Sequence, residues 1–179
     1  MNPKYLAMLC LALLLVACAP PYQLIGPGDT TVEGMRVSIG GNWNKASPML
    51  TPYARKTAQV WTRDGLLLDR LMIIPAVPDG DTVFVSSAKD AALPKFRADM
   101  LPHELSELVE SSIVKIFDEG EVSVSIGGLR PQRFGERDGA FFELRASVND
   151  GPDYDGFAGG FVGGGKLYLI IFLGAQPYY

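Results

Sequence analysis

The sequence predicts an α+β fold in which a largely antiparallel β-sheet meander packs on one long amphipathic helix. From residue 121 onward, apolar segments of strand length alternate with short turns rich in Gly, Asp and Asn, and connections that short join antiparallel neighbours. Ahead of them, residues 103–117 (HELSELVESSIVKIF) repeat apolar side chains at helical spacing. Hydrophobic residues make up 47% of the chain and aromatics 10%, the composition of a chain that folds rather than of a disordered stalk.

Taken in order, the first segment stands outside the fold. Lys4 places a positive charge ahead of Leu6–Val16, an apolar run without a charged side chain, which is the order of the n- and h-regions of a secretory signal peptide. At about 1.5 Å per residue the run covers roughly half of a ~30 Å hydrocarbon core, too little for a permanent span. It closes on Leu15-Val16-Ala17-Cys18, which resembles the lipobox of bacterial lipoproteins. That resemblance implies a signal peptide over 1–17, cleavage after the small Ala17, and lipid (diacylglycerol and palmitate) on Cys18. Two or three acyl chains suffice for stable anchoring at about 0.8 kcal/mol per buried methylene. Cys10, the only other cysteine, lies in the discarded segment, so the mature chain has no thiol left for disulfides, metal ligation or catalysis. Ala19 is not the aspartate that enterobacterial lipoproteins use for inner-membrane retention, so the expected location is the outer membrane, facing the periplasm.

Removing 17 residues from 179 leaves 162, enough for one domain with a real core. The formal charge of −4 becomes −5 once Lys4 is gone; with no basic stripe, nucleic-acid binding is not expected. Residues 18–30 (CAPPYQLIGPGDT) read as an irregular, semi-rigid tether, and 31–179 as the single domain. A first strand is expected over Thr31–Ile39, ended by Gly40-Gly41-Asn42, and a turn-rich stretch over Trp43–Pro52. Strands over Lys56–Thr62 and Leu66–Ile74 are joined at Arg63-Asp64-Gly65, where Asp-Gly is a hairpin signal. Pro75 and Pro78 end that hairpin, and Thr82–Ser86 adds a short extended piece.

The helix over 103–117 places Leu105, Leu108, Val109, Ser112, Ile113 and Ile116 on one stripe, with Glu104, Glu107, Glu110 and Lys115 opposite. Pro102 suits its first turn, and the early glutamates favour the positive end of its dipole. Strands follow over 121–126, 132–137, 140–148, 156–162 and 166–173, with turns at Gly127-Gly128, Asp138-Gly139, Asn149–Pro152 and Gly163–Gly165. In the last strand both alternating sets of side chains are apolar, so both faces of the sheet need cover there. One visible helix covers one face. The other packs against the Trp43–Pro52 loop and the tether, or against something outside this sequence.

This order of elements, with Asn42-Trp43-Asn44, Arg63-Asp64-Gly65 and Met100–Leu105, resembles the PsbP-like α/β/α sandwich of photosystem subunits and many small bacterial lipoproteins. The resemblance spans roughly Thr31–Leu173. It implies a binding or assembly factor without a shared active site; members usually close with a helix after the last strand, which this chain lacks.

Several stretches invite chemical readings. Gly160–Lys166 (GFVGGGK) has phosphate-loop spacing, but Leu167 replaces the hydroxyl residue and a strand follows, so a hairpin turn is expected. His103 is the only histidine; a triad or His-rich metal site would have to be built around it, and an exposed imidazole at a helix start is the expectation. Asp150, Asp153 and Asp155 are weak candidate Ca²⁺ ligands that lack the complete loop pattern, and Asp79 and Asp81 sit in a similar turn. Trp43, Tyr178 and Tyr179 are candidate interaction residues, since aromatics dominate protein–protein hot spots, whereas Trp61 reads as core. The resulting expectation is no enzyme, no catalytic residue and no cofactor. It is instead a membrane-anchored envelope lipoprotein binding an envelope protein partner, with a small-ligand or Ca²⁺-binding periplasmic domain as the alternative.

Overall fold

The structure, a computed structural model, describes residues 20–86, 92–116 and 120–176; Cys18 and the signal segment, as well as Tyr178 and Tyr179, lie outside them. Ten strands dominate: β1 (Tyr22–Ile25), β2 (Gly28–Val32), β3 (Met35–Ile39), β4 (Trp43–Ala46), β5 (Gln59–Thr62), β6 (Asp69–Pro78), β7 (Val122–Phe134), β8 (Arg137–Val148), β9 (Asp153–Gly163) and β10 (Lys166–Ala175). Eight form one antiparallel sheet in the order β1-β4-β5-β6-β10-β9-β8-β7, and β2 and β3 make a separate hairpin. Among the described residues the single α-helix, α1, spans Pro102–Lys115.

The expected α+β class is therefore corrected. Of the described residues about 54% are strand and 11% helix, so they form a β-sheet protein with one short helix rather than a sandwich built on a long one. Four local features account for the difference. Tyr22–Thr30, read as tether, supplies β1 and the first three residues of β2. Thr31–Ile39, read as one strand, instead folds back at Glu33-Gly34, both with positive φ (45° and 82°), a two-residue hairpin whose first position is Glu rather than the usual Asn or Asp. Pro75 does not end its strand: between Ile74 and Val77, β6 has two residues where β10 has one. The bulge absorbs a proline that cannot donate to the ladder and puts Ala76 at φ 50°. Likewise Gly127-Gly128 is not a turn but a bulge within β7, the register jumping from Gly127↔Glu143 to Arg130↔Phe141 with Gly128 at φ 57°. The hairpin turn falls at Gly135-Glu136, between the paired Phe134 and Arg137, and not at Asp138-Gly139.

Two halves join along the β6–β10 seam. The meander β7-β8-β9-β10 returns across the sheet until β10 pairs with β6, Ile170 opposite Ile73 and Phe172 opposite Leu71. The long β6–β7 connection carries α1 over one face. There Leu105, Leu108, Val109 and Ile113 pack on Leu167, Leu169, Ile171 and Leu173 together with Phe84, Phe96 and Phe142. On the other face the β2–β3 hairpin lays Val32, Met35 and Val37 over Trp43, Trp61, Leu71 and Ile73, with Ile170 and Phe172 beside them. The doubly apolar β10 is thus covered on one face by α1 and in part on the other by a hairpin drawn partly from the segment read as tether. A fully buried side chain such as Ile171 or Ile73 contributes about 1.5–3 kcal/mol along this seam.

Local polar groups close the turns. Glu104 accepts the Leu101 N–H at 2.7 Å; leucine has no side-chain acceptor, so only this half of a capping box forms. Asp69, nearly buried, accepts from Thr62 Oγ1 (2.7 Å), Arg63 N (2.9 Å) and Asp64 N (2.9 Å), latching the β5–β6 loop.

Candidate interaction surface

The hairpin covers only part of its face of the sheet. Beyond it, the same face of β7–β10 carries Phe134, Phe141, Phe157, Phe161, Tyr168 and Phe172, each half-buried. Strand alternation places them: Tyr168 opposes Phe161, Phe172 opposes Phe157, and Phe141 and Phe134 follow on the next strands. Phe161 stacks on Tyr168 at 5.0 Å between ring centres, Phe141 on Phe157 at 5.5 Å, and Phe157 meets Phe172 at 5.5 Å. Glycine makes the pavement possible at one point: a Cβ on Gly159 would come within 2.8 Å of the Phe134 ring. Cations edge the strip. Arg130 lies 4.1 Å over the Phe141 ring, a cation–π contact.

Between this strip and the hairpin turn runs a groove of about 610 Å³ that includes Met35, Arg36, Phe134, Arg137, Phe161 and Tyr168. Its volume is in the range of small-molecule pockets, but it is a shallow trough between a sheet and a hairpin. Aromatic floor and arginine rim are the composition of protein contact surfaces, where aromatics and Arg are enriched and Lys and Glu depleted.

A second feature lies inside. Arg70 points among Tyr53, Phe84, Ile113 and Tyr154 beside a cavity of about 30 Å³, with its guanidinium 5.2 Å from the Tyr154 ring. Burial raises the Tyr53 hydroxyl pKa, and Arg70 works against that rise. The cavity has room for a water or two and is far below ligand size, so this is a structural cation packed on rings.

The residues singled out in sequence fall elsewhere. Trp43 is buried, roofed by the hairpin, edge-on to Phe172 at 6.3 Å and under Arg63 at 4.5 Å; it is core rather than contact surface. Trp61 is fully buried. Asp150 sits in the β8–β9 turn at φ 55°. Asp155 is engaged by Arg145 at 2.9 Å and Gln176 at 2.5 Å, and the Arg145 hydrogen bond holds its carboxyl below the usual range. Among the described residues no group of three His, Cys, Asp or Glu side chains could hold a metal. Asp81 pairs with Arg55 at 2.6 Å, and Asp79 accepts the Ala98 N–H. His103 is exposed on the first turn of α1. Gly160–Lys166 is the β9–β10 hairpin, Gly164 and Gly165 both at positive φ. Among the described residues no helix is long and apolar enough to cross a membrane.

The aromatic strip escaped the sequence reading because its members are spread over four strands. The available signal was period-2 spacing, Phe157/Phe161 in β9 and Tyr168/Phe172 in β10, which registers as a face only once strand pairing is known. No family model matches the chain, and no curated protein matches it significantly.

Proposed function

We propose that this chain is a lipid-anchored lipoprotein of the bacterial envelope, held through Cys18 at the outer membrane. It acts there as a non-enzymatic binding factor for an envelope protein. The observation that carries the binding role is the half-exposed aromatic strip with Arg36, Arg130 and Arg137 around it. A sheet needs no six-ring pavement on its open side for its own stability, and rings half in water gain area when a partner covers them. The anchor rests on the charged start, the short apolar run and Leu15–Cys18. The acidic side chains that could serve other chemistry are engaged in ion pairs and turns, and nothing in the geometry favours the Ca²⁺ reading.

The test is site-directed photo-crosslinking in intact cells, with a benzophenone amino acid at position 161 or 137 on the strip and at exposed position 107 on α1 as control. A discrete adduct from 161 and 137 and none from 107 is expected. The binding role is abandoned if all three positions give the same pattern. Separately, Cys18→Ser should move the protein from the membrane to the soluble fraction; retention in membranes would remove the anchor.

A further inference from the structure

From the β1 edge of the sheet we infer a second contact surface, one that meets the phospholipid headgroup and acyl boundary beside the anchor and thereby fixes how the domain stands on the membrane. It rests on the proposed lipidation of Cys18. β1 is an edge strand paired with β4, Tyr22 opposite Ala46 and Leu24 opposite Asn44. Tyr22 and Leu24 point to the same side of it by strand alternation. Directly beyond, Ser47 N donates to Pro21 O at 2.9 Å, which sets the 3-10 turn Pro48–Leu50 beside the first residues of β1. Four large apolar side chains are open to solvent here: Met49 at 89%, Leu24 at 66%, Leu50 at 40% and Tyr22 at 38%. Single exposed apolar residues are ordinary, but a cluster of four on one corner marks a contact.

Two further observations say what covers it. The first is reach: Pro21 is three residues after Cys18, and three residues extend to at most about 11 Å. An acylated Cys18 therefore holds the Pro21 end of β1, and the corner built around it, close to the bilayer surface. The second is charge. The sequence has 20 acidic residues, yet none falls in 18–28 or 34–63, the stretches that build this corner, while Lys45 and Lys56 do. In a chain of net negative charge, these stretches bring lysine and no carboxylate to an anionic bilayer. Methionine, leucine and tyrosine with flanking lysines are side chains that enter an interface without stranding a charge. Docked this way, the short β1 edge faces lipid, and the aromatic strip on the far strands of the sheet is held away from the membrane, toward the periplasm.

The experiment uses the acylated full-length mature protein, purified from membranes and reconstituted into phosphatidylethanolamine–phosphatidylglycerol vesicles. Met49→Cys and, separately, Leu24→Cys carry an environment-sensitive nitrobenzoxadiazole label, with Asp138→Cys beyond the β7–β8 turn as reference. An acylated Cys18 offers no competing thiol. The expected result is a shift of emission to shorter wavelength at 49 and 24 and loss of intensity to brominated acyl chains, with neither change at 138. Water-like emission at all three positions on protein that floats with the vesicles overturns the docking and leaves the anchor standing. Absence of diacylglycerol mass on the N-terminal peptide, with no flotation, refutes the anchor and this orientation with it. A blue-shifted label at 49 in vesicle-free detergent at twice the monomer mass identifies a second copy as the occupant and overturns the lipid contact.

Discussion

Removing the carboxylate of Asp69 should cost the domain about 3 kcal/mol. Asp69 is only 8% exposed and serves three donors: the Thr62 hydroxyl and the Arg63 and Asp64 N–H groups. Hydrogen bonds to a charged acceptor are worth about 1.5–3 kcal/mol each, but the three do not add. Arg63 and Asp64 are exposed, so their amides can turn to water once the carboxylate is gone. Thr62 is 1% exposed and also accepts the Gly65 N–H at 2.9 Å. Its hydroxyl keeps that role yet loses the acceptor for its own proton, and most of the cost falls there. In a chain of this length 1 kcal/mol moves the melting temperature by about 2–4 °C, so Asp69→Ala should lower it by about 6–12 °C. Asp69→Asn keeps one carbonyl oxygen in place and should lose about half as much. Urea titration of the mature protein in detergent, followed by the fluorescence of Trp43 and Trp61, reads this directly, because both indoles lie in the core next to the loop. A loss below about 1 kcal/mol for Asp69→Ala, or an Asn variant no better than Ala, would refute the latch.

Gly156→Ala should also destabilise, by about 1–3 kcal/mol as for other overpacked positions, because the added Cβ would collide with the Phe172 carbonyl across the β9–β10 pair; a thermal melt within 1 °C of the parent would contradict this. Asp81 gives a pH dependence. The Arg55 hydrogen bond, then that from Thr82 N, hold its carboxyl below the ordinary carboxylate pKa. The stability it contributes is therefore complete above the unfolded-state pKa and is lost as pH falls through the lower folded-state value. Melting curves of parent and Asp81→Asn should differ at neutral pH and converge in acid. A gap that widens on acidification would reverse the sign and exclude the assignment.

The parts of the fold that the sequence disclosed are those written in local periodicity. The stripe from Leu105 to Ile113 needed only 3.6-residue spacing to be placed, and the helix begins at Pro102, within a residue of expectation. Gly164-Gly165 fixed the last hairpin because two positive-φ residues in a row leave few alternatives. What escaped was set by pairing partners. Pro75 looks like a strand end until β10 is known to lie alongside and accommodate a bulge. Gly128 looks like a turn until β8 runs past it. Tyr22–Ile25 has too few residues to declare itself, and it becomes a strand because β4 offers an edge. Trp43 illustrates the same limit for the site: a tryptophan next to glycines reads as surface, and only the hairpin folding over it makes it core. The aromatic strip was present as period-2 spacing in β9 and β10, without the register that turns four segments into one pavement.

Under the proposed Cys18 anchor, the irregularities of β7 have a consequence for how many copies can share a surface. As the far edge of the sheet, this 13-residue strand presents an unpaired ladder, and proteins tethered to a plane meet edge to edge far more often than they do in solution. Gly128 breaks its regularity, Pro131 lacks the N–H a neighbour would need, and Arg130 and Arg133 set like charges against a second copy. The opposite edge, β1, is four residues long. A sheet with both borders blunted in this way resists strand-by-strand polymerisation, so copies held by the proposed anchor can crowd one surface while the half-exposed aromatic face stays open.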